Sequence, residues 1–147
     1  MELALLDSNI VMDALNGYTQ AVADISYFKD IAISDVAWIE VLAKPLAAAY
    51  GNAGQASVQL VRNFLSNFTV IHSDDAIMEE AARLRANSLI YPPKIRLPDV
   101  IILATANVTG RLLVTRNKRD FRGANIRFPY ELQNGQVFNV AAPPAAL

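Results

Sequence analysis

The chain has 147 residues, a length that suits one domain with a single sizeable core. Hydrophobic residues make up 53%, but no apolar run approaches the roughly 20 residues of a membrane span, and the first residues lack the pattern of a secretory signal. The absence of cysteine excludes disulfides, thiolate metal sites and thiol nucleophiles. Together these features predict a cytoplasmic protein.

The net charge of −1 is unevenly distributed. Segment 94–127 carries +6 and the rest of the chain carries −7. The basic residues of this segment are Lys94, Arg96, Arg111, Arg116, Lys118, Arg119, Arg122 and Arg127. Such a segment is typical of a surface that binds a polyanion, but an ordinary solvated face has the same composition.

Short apolar runs alternate with helix-length segments, a pattern typical of a parallel sheet covered by helices. Strands are predicted at 2–6, 31–33, 69–71 and 112–115, with a short fifth at 126–128. Helices are predicted at 9–15, 35–43, 55–68, 73–89 and 99–109. Pro45 is expected to end or kink the second helix, and the proline-rich stretch 90–98 is expected to be a loop. The predicted domain spans 1–132, followed by a partly disordered or docking tail at 133–147.

Four acidic residues occupy unusual positions. Asp7 directly follows the first strand, Asp99 opens a very apolar helix, and Asp120 follows the fourth strand across a short turn. In an open α/β sheet, these positions lie at or near the carboxyl edge, where ligands bind. Glu40 lies inside a helix, and apolar residues three or four positions away share its face. A half-buried carboxylate at that position needs a partner.

Each acid also has a structural interpretation. Asp7 and Asp99 could cap helices, Asp120 could serve a turn, and Glu40 could pair with Lys44 on an exposed face. Convergence of all four would instead favour a cation, because clustered carboxylates repel one another and oxygen ligands suit Mg²⁺ or Mn²⁺.

Other chemistries have little support in the sequence. His72 is the only histidine, and there is neither a GxGxxG motif nor a Walker A loop. Metal-assisted hydrolysis of phosphodiesters is the chemistry that these residue types can support.

Four segments, "LLDSNIVMD", "ISDVAWIEVLA", "LPDVIILATA" and "LLVTRNKRDF", resemble the PIN domain in their order and spacing. Within that family they resemble the VapC-like toxins of bacterial and archaeal toxin–antitoxin modules, over about 3–132. The resemblance implies a three-layer α/β/α fold with a central, mainly parallel sheet. It also implies an Mg²⁺- or Mn²⁺-dependent ribonuclease that cuts structured RNA, such as transfer or ribosomal RNA, and that a VapB-like antitoxin inhibits.

The resemblance also assigns roles to residues. Asp7 and Asp99 match the metal ligands and Glu40 completes the acidic cluster. Asp120 is preferred to Asn117 as the fourth acid. Supporting polar groups are expected at Ser8, Asn9, Thr115 and Asn117. RNA contacts are expected from Arg116, Lys118 and Arg119.

Three further questions stay open at the level of sequence. The high apolar content and the segment "PLAAAY" at 45–50 predict a homodimer that binds an antitoxin peptide, unless this segment belongs to the core. A PIN-like module that binds RNA or a partner without cutting is one alternative function. A metal-dependent phosphatase of doubly wound type is the other, although Ser8 and Asn9 stand where such enzymes usually carry a second acid.

Overall fold

A computed structural model of the protein describes residues 3–50 and 55–145. The strands in these ranges are β1 (Leu3–Leu6), β2 (Asp30–Ser34), β3 (Thr69–Ile71), β4 (Leu112–Val114), β5 (Ile126–Arg127), β6 (Glu131–Gln133) and β7 (Gln136–Phe138). The helices are α1 (Ser8–Leu15), α2 (Thr19–Ser26), α3 (Asp35–Ala49), α4 (Gln55–Leu65), α5 (Asp75–Ile90) and α6 (Leu97–Thr109).

The first five strands form one parallel sheet in the order β3-β2-β1-β4-β5. The chain steps outward from β1 to β3 through α1–α4 and returns to β4 through α5 and α6. Because parallel crossovers are right-handed, this reversal places α5 and α6 on the opposite face of the sheet from α1–α4. The protein is therefore a three-layer α/β/α structure, as predicted.

The order of the strands determines where the acids lie. The central strand β1 is flanked by β2 and β4, and Leu6 pairs with Ile33 on one side and Val114 on the other. Leu5, Leu6, Ile33 and Val114 are fully buried, as expected of a parallel strand covered on both faces. The residues that follow β1 and β4 are therefore neighbours at the carboxyl edge.

Two glycines end helices as the sequence indicates. Gly17 follows α1 with φ of +88°, and Gly110 follows α6 with φ of +66°, a backbone region that favours glycine. Pro45 does not end α3, which continues to Ala49. Ala49 is buried in the main core, and this packing offsets the hydrogen bond that proline cannot donate.

Helix α2 and the antiparallel hairpin β6–β7 were not predicted. The hairpin turns at Asn134 and Gly135, both with positive φ, and an Asn-Gly pair is a strong hairpin signal. The hairpin spans the predicted boundary at 132, which stays a prediction. Within the described residues, no helix is both long and apolar enough to cross a membrane.

Candidate active site

Asp7 lies between β1 and α1 and is buried at the carboxyl edge of the sheet. Its Oδ1 accepts the Ser8 N–H at 2.7 Å, as expected of a residue that begins a helix. Its Oδ2 accepts the Asn9 amide at 3.2 Å and the Thr115 hydroxyl at 2.7 Å, across the sheet. Helix capping therefore accounts for one carboxylate oxygen and leaves the other to the site. Burial raises the pKa of Asp7, although the bonds from Thr115 and Ser8 oppose the shift.

A polar network fixes the loop after β4 against the start of α1. Thr115 accepts the Asn117 N–H at 3.0 Å, and its hydroxyl hydrogen points to Asp7. The Asn9 side chain accepts the Arg116 N–H at 3.3 Å. These bonds bring together Asn9, Thr115 and Asn117, the polar groups that the sequence singled out, and they orient Asp7.

Asp99 lies buried in the first turn of α6 and faces the same edge. Arg96, which immediately precedes the helix, places Nε and one terminal nitrogen each 3.2 Å from Asp99 Oδ2. Burial is the main cause that raises the pKa of Asp99 to about 6. The positive charge of Arg96 opposes this shift, whereas the charge of Asp7 and a hydrogen bond with Asp120 add to it.

Asp120 and Asn117 form a closed turn rather than competing for one position. The Asn117 amide donates to Asp120 Oδ2 at 3.1 Å, and the Asp120 N–H donates to Asn117 Oδ1 at 3.2 Å. Asp120 is close enough to Asp99 to raise its pKa, and the Asn117 amide orients Asp120. The choice of Asp120 as the fourth acid stays a prediction.

Glu40 lies in the middle of α3 and is exposed, rather than half-buried as its helical face predicts. It nevertheless faces the site. Partial loss of water around its carboxylate raises the pKa of Glu40, the charges of Asp7 and Asp99 add to the shift, and Arg96 opposes it. The exposure of Glu40 agrees with the structural interpretation, but within the described residues no ion pair joins it to Lys44.

The four acids thus converge on one edge, and a divalent cation would relieve their mutual repulsion. Their donor atoms are all oxygens, which fits Mg²⁺ or Mn²⁺. In residues 3–50 and 55–145, no three acidic or histidine side chains are grouped closely enough to form a ready-made metal cage. The arrangement is compatible with a cation held by few carboxylates and several waters, as is usual for Mg²⁺.

The raised pKa values predict how the metal-free protein responds to pH. Because the folded protein holds the proton on Asp99 more tightly than the unfolded chain does, this group stabilises the fold below about pH 4, and the contribution is lost as pH rises through about 6. Asp7 and Glu40 act in the same direction. We expect Asp99→Asn to flatten the fall in unfolding free energy between these pH values, measured by urea denaturation in EDTA. An unchanged slope would contradict the prediction.

Comparison with known proteins identifies the family. The PIN-domain family model matches residues 4–126. The chain belongs to the PIN-domain family. A toxin–antitoxin complex from Klebsiella pneumoniae contains a chain 34% identical to this PIN domain, with a TM-score of 0.73, and the match covers 88% of this chain and 99% of that one.

More distant structures share the fold of this PIN domain. FitAcB from Neisseria gonorrhoeae is 21% identical, with a TM-score of 0.72 and coverage of 81% of this chain and 91% of that one. DNA-bound VapBC from Salmonella typhimurium is 22% identical, with a TM-score of 0.72 and coverage of 86% and 96%. The comparison with curated proteins gave no match.

Several basic residues of segment 94–127 form ion pairs with acids of the PIN domain itself. Arg116 forms a two-oxygen pair with the buried Asp13, with Nε 2.6 Å from Oδ2 and a terminal nitrogen 3.1 Å from Oδ1. Lys118 pairs with Glu131 at 2.7 Å. Of the three residues predicted to contact RNA, Arg119 is the one that is exposed with no ion pair among the described residues. A count of charges could not reveal this, because the acidic partners lie far away in sequence.

Sequence reasoning missed two groups beside the acids of this PIN domain. Asp13 accepts the Tyr130 hydroxyl at 2.6 Å in addition to Arg116, so α1, the loop after β4 and the residues before β6 are joined at one buried point. The second group is Arg96, which lies three residues before Asp99. Residues three apart around a helix start share a face, so this spacing could have indicated their contact. No local pattern connects Asp13 to Tyr130.

Proposed function

We propose that this PIN domain is an Mg²⁺- or Mn²⁺-dependent ribonuclease that cleaves phosphodiester bonds of structured RNA, and that it is the toxin of a toxin–antitoxin pair. The observation that carries the proposal is the convergence of Asp7, Glu40, Asp99 and Asp120 at one sheet edge, with the pKa of the first three raised. The similarity to a chain of the Klebsiella toxin–antitoxin complex supports the biological role.

Each residue has a role in this proposal. Asp7 and Asp99 would hold the cation, which when bound lowers the pKa of a coordinated water and neutralises charge on the phosphate. Glu40 and Asp120 complete the negative cluster around them. Ser8, Asn9 and Thr115 fix the rotamer of Asp7 through the hydrogen bonds described above, and Asn117 does the same for Asp120. Such supporting groups typically change metal affinity or activity by about 10–100-fold when removed.

The cation also has a role in substrate binding. RNA phosphates approaching four carboxylates would be repelled without positive charge nearby. Lys94, Arg119 and Arg122 are exposed, without an ion pair among the described residues, on the segment that surrounds Asp99 and Asp120. These side chains replace Arg116 and Lys118 as the proposed phosphate contacts, because the latter two already pair with acids. We propose that the protein acts in the cytoplasm, where these RNA substrates lie.

The central experiment measures cleavage of transfer RNA and of ribosomal RNA fragments by the purified protein, with Mg²⁺, with Mn²⁺ and with EDTA. Metal-dependent cutting supports the proposal, and sequencing RNA ends after induction without antitoxin identifies the bond. Hydrolysis of a small phosphomonoester without RNA cleavage would favour the phosphatase. RNA binding without cutting in any metal would favour the non-catalytic module.

Glu40 provides a sharper test of the site. We expect Glu40→Gln to lower cleavage by about 10–100-fold, because the acid shapes the field around the cation without being among its proposed ligands. The matched control is Glu79→Gln, which removes the same charge from an exposed position on α5. Equal activity of the two variants, measured as initial rates in saturating Mg²⁺, would make Glu40 a surface residue and leave a smaller site.

The partner proposal has its own prediction. Leu46 and Tyr50, in the segment 45–50, are 42% and 96% exposed, so the segment is largely surface rather than core. We propose that the protein forms a homodimer and binds an antitoxin peptide, since exposed apolar groups of this kind favour an interface. We expect light scattering to give the mass of a dimer, and the adjacent operon product to co-purify. A monomer with no co-purifying partner would contradict both.

A further inference from the structure

Arg96 is the cation closest to the acidic cluster among the described residues. Its Nε lies 3.2 Å from Asp99 Oδ2 and 4.0 Å from Asp120 Oδ2, and its charge also attracts Glu40. The guanidinium therefore occupies the negative region that a divalent cation would enter. Its positive charge offsets part of the negative charge of the acids.

The geometry of this contact is that of a weak ion pair. Nε and one terminal nitrogen of Arg96 both contact Oδ2 of Asp99. Strong arginine–carboxylate pairs have two parallel bonds to two different oxygens instead. Arg116 shows the contrast, because it reaches both oxygens of the buried Asp13. The Arg96 side chain is 73% exposed, whereas that of Arg116 is 24% exposed. The Asp99 side chain is only 7% exposed, but water surrounds the guanidinium, and an ion pair that water screens contributes little to stability.

The backbone conformation also allows the Arg96 side chain to move away from Asp99. The residue precedes α6 and has an extended conformation, with φ of −65° and ψ of 153°, and its side chain makes no cap bond to the helix. Rotation of the side chain into solvent therefore breaks no backbone bond of α6, and Asp99 keeps its position.

We propose that Arg96 is a displaceable counter-ion, which pairs with Asp99 in the metal-free protein and gives up this carboxylate when a divalent cation binds. The inference depends on the proposed metal site. Because a cation at the site would be attracted to the same Asp99 carboxylate that Arg96 contacts, metal binding would include the cost of breaking the pair. The arginine thus lowers the metal affinity of the resting protein.

The test is calorimetric titration of the full-length protein with Mn²⁺, without RNA. We expect Arg96→Gln to bind Mn²⁺ about fivefold more tightly than the wild type, a factor that corresponds to an exposed ion pair. The matched control is Lys94→Gln, which removes an equal charge from an exposed position two residues away and is expected to change the affinity by less than about twofold.

A second measurement uses the unaltered protein. Mg²⁺ is added while the ¹⁵N–¹H resonance of the Arg96 Nε is followed, with the assignment taken from its loss in Arg96→Gln. We expect the signal to shift as the bond to Asp99 breaks. The inference is overturned if the resonance stays in place while Mg²⁺ binds. It is also overturned if Arg96→Gln and Lys94→Gln bind Mn²⁺ with equal affinity. Neither result would contradict the proposed function. If neither the wild type nor any variant binds a divalent cation, the proposed function fails and the inference fails with it.

Discussion

Asp7→Asn and Asp99→Asn are each expected to lower Mg²⁺-dependent RNA cleavage by about 10²–10³-fold, the usual cost of one preorganised electrostatic group. Each change keeps the size and shape of the side chain and removes the charge that would hold the cation. The fold should persist, since burial already disfavours the charged form of both groups. Single-turnover cleavage rates, with circular dichroism as the check on folding, measure the effect.

The matched control for Asp7 is Asp74→Asn. Asp74 begins α5 and accepts the Ile77 N–H at 2.9 Å, and asparagine caps helices about as well as aspartate. If Asp7 were only a helix cap, the two variants would behave alike. Full cleavage by Asp7→Asn would remove it from the site, and full cleavage by Asp99→Asn would do the same for Asp99.

The largest expected loss of stability lies away from the acids. Asp24 is fully buried on α2 and receives Nε and a terminal nitrogen of Arg127, the latter at 2.7 Å. We expect Asp24→Ala to lower the unfolding free energy by about 3–5 kcal/mol, because it leaves the 12%-exposed Arg127 side chain without its counter-charge. Urea denaturation measures the loss.

Asp30→Ala is the control for this prediction. It breaks a second aspartate–arginine pair, with Arg111 at 2.8 Å, but the Asp30 side chain is 48% exposed. Water compensates there, so we expect a loss of about 1 kcal/mol or less. Similar losses in both variants would show that burial does not determine the strength of these pairs.

The placement of Asp7 and Asp99 at one edge of the sheet could be predicted from the sequence, and the reason is topological. Asp7 follows a strand and Asp99 opens a helix, and in a parallel sheet such positions share an edge whatever the details of packing. Asp120 and Asn117 were competing candidates because spacing alone cannot show that one side chain orients the other. The exposure of Glu40 was misjudged because an apolar residue on its helical face, Ala43, is itself exposed.

Contacts between distant parts of the chain could not be predicted. The pairs Arg127–Asp24 and Arg116–Asp13 each join residues 103 positions apart, and no local propensity encodes them. They explain why Arg116 and Arg127 are not free cations of the basic segment. The hairpin β6–β7 is different, because its Asn-Gly turn was a readable signal at a position where only a tail was expected.

The bonds between the two ends of the chain have a consequence during protein synthesis. Asp7 accepts a hydrogen bond from Thr115, 108 residues later, and Asp13 accepts one from Tyr130, 117 residues later. A nascent polypeptide cannot close these contacts until both late residues have left the ribosome. At about 5–20 residues per second, this delay is on the order of ten seconds. The proposed site is therefore incomplete until most of the domain has been made, and a translation product released before Tyr130 lacks the contact that joins α1 to the later part of the chain.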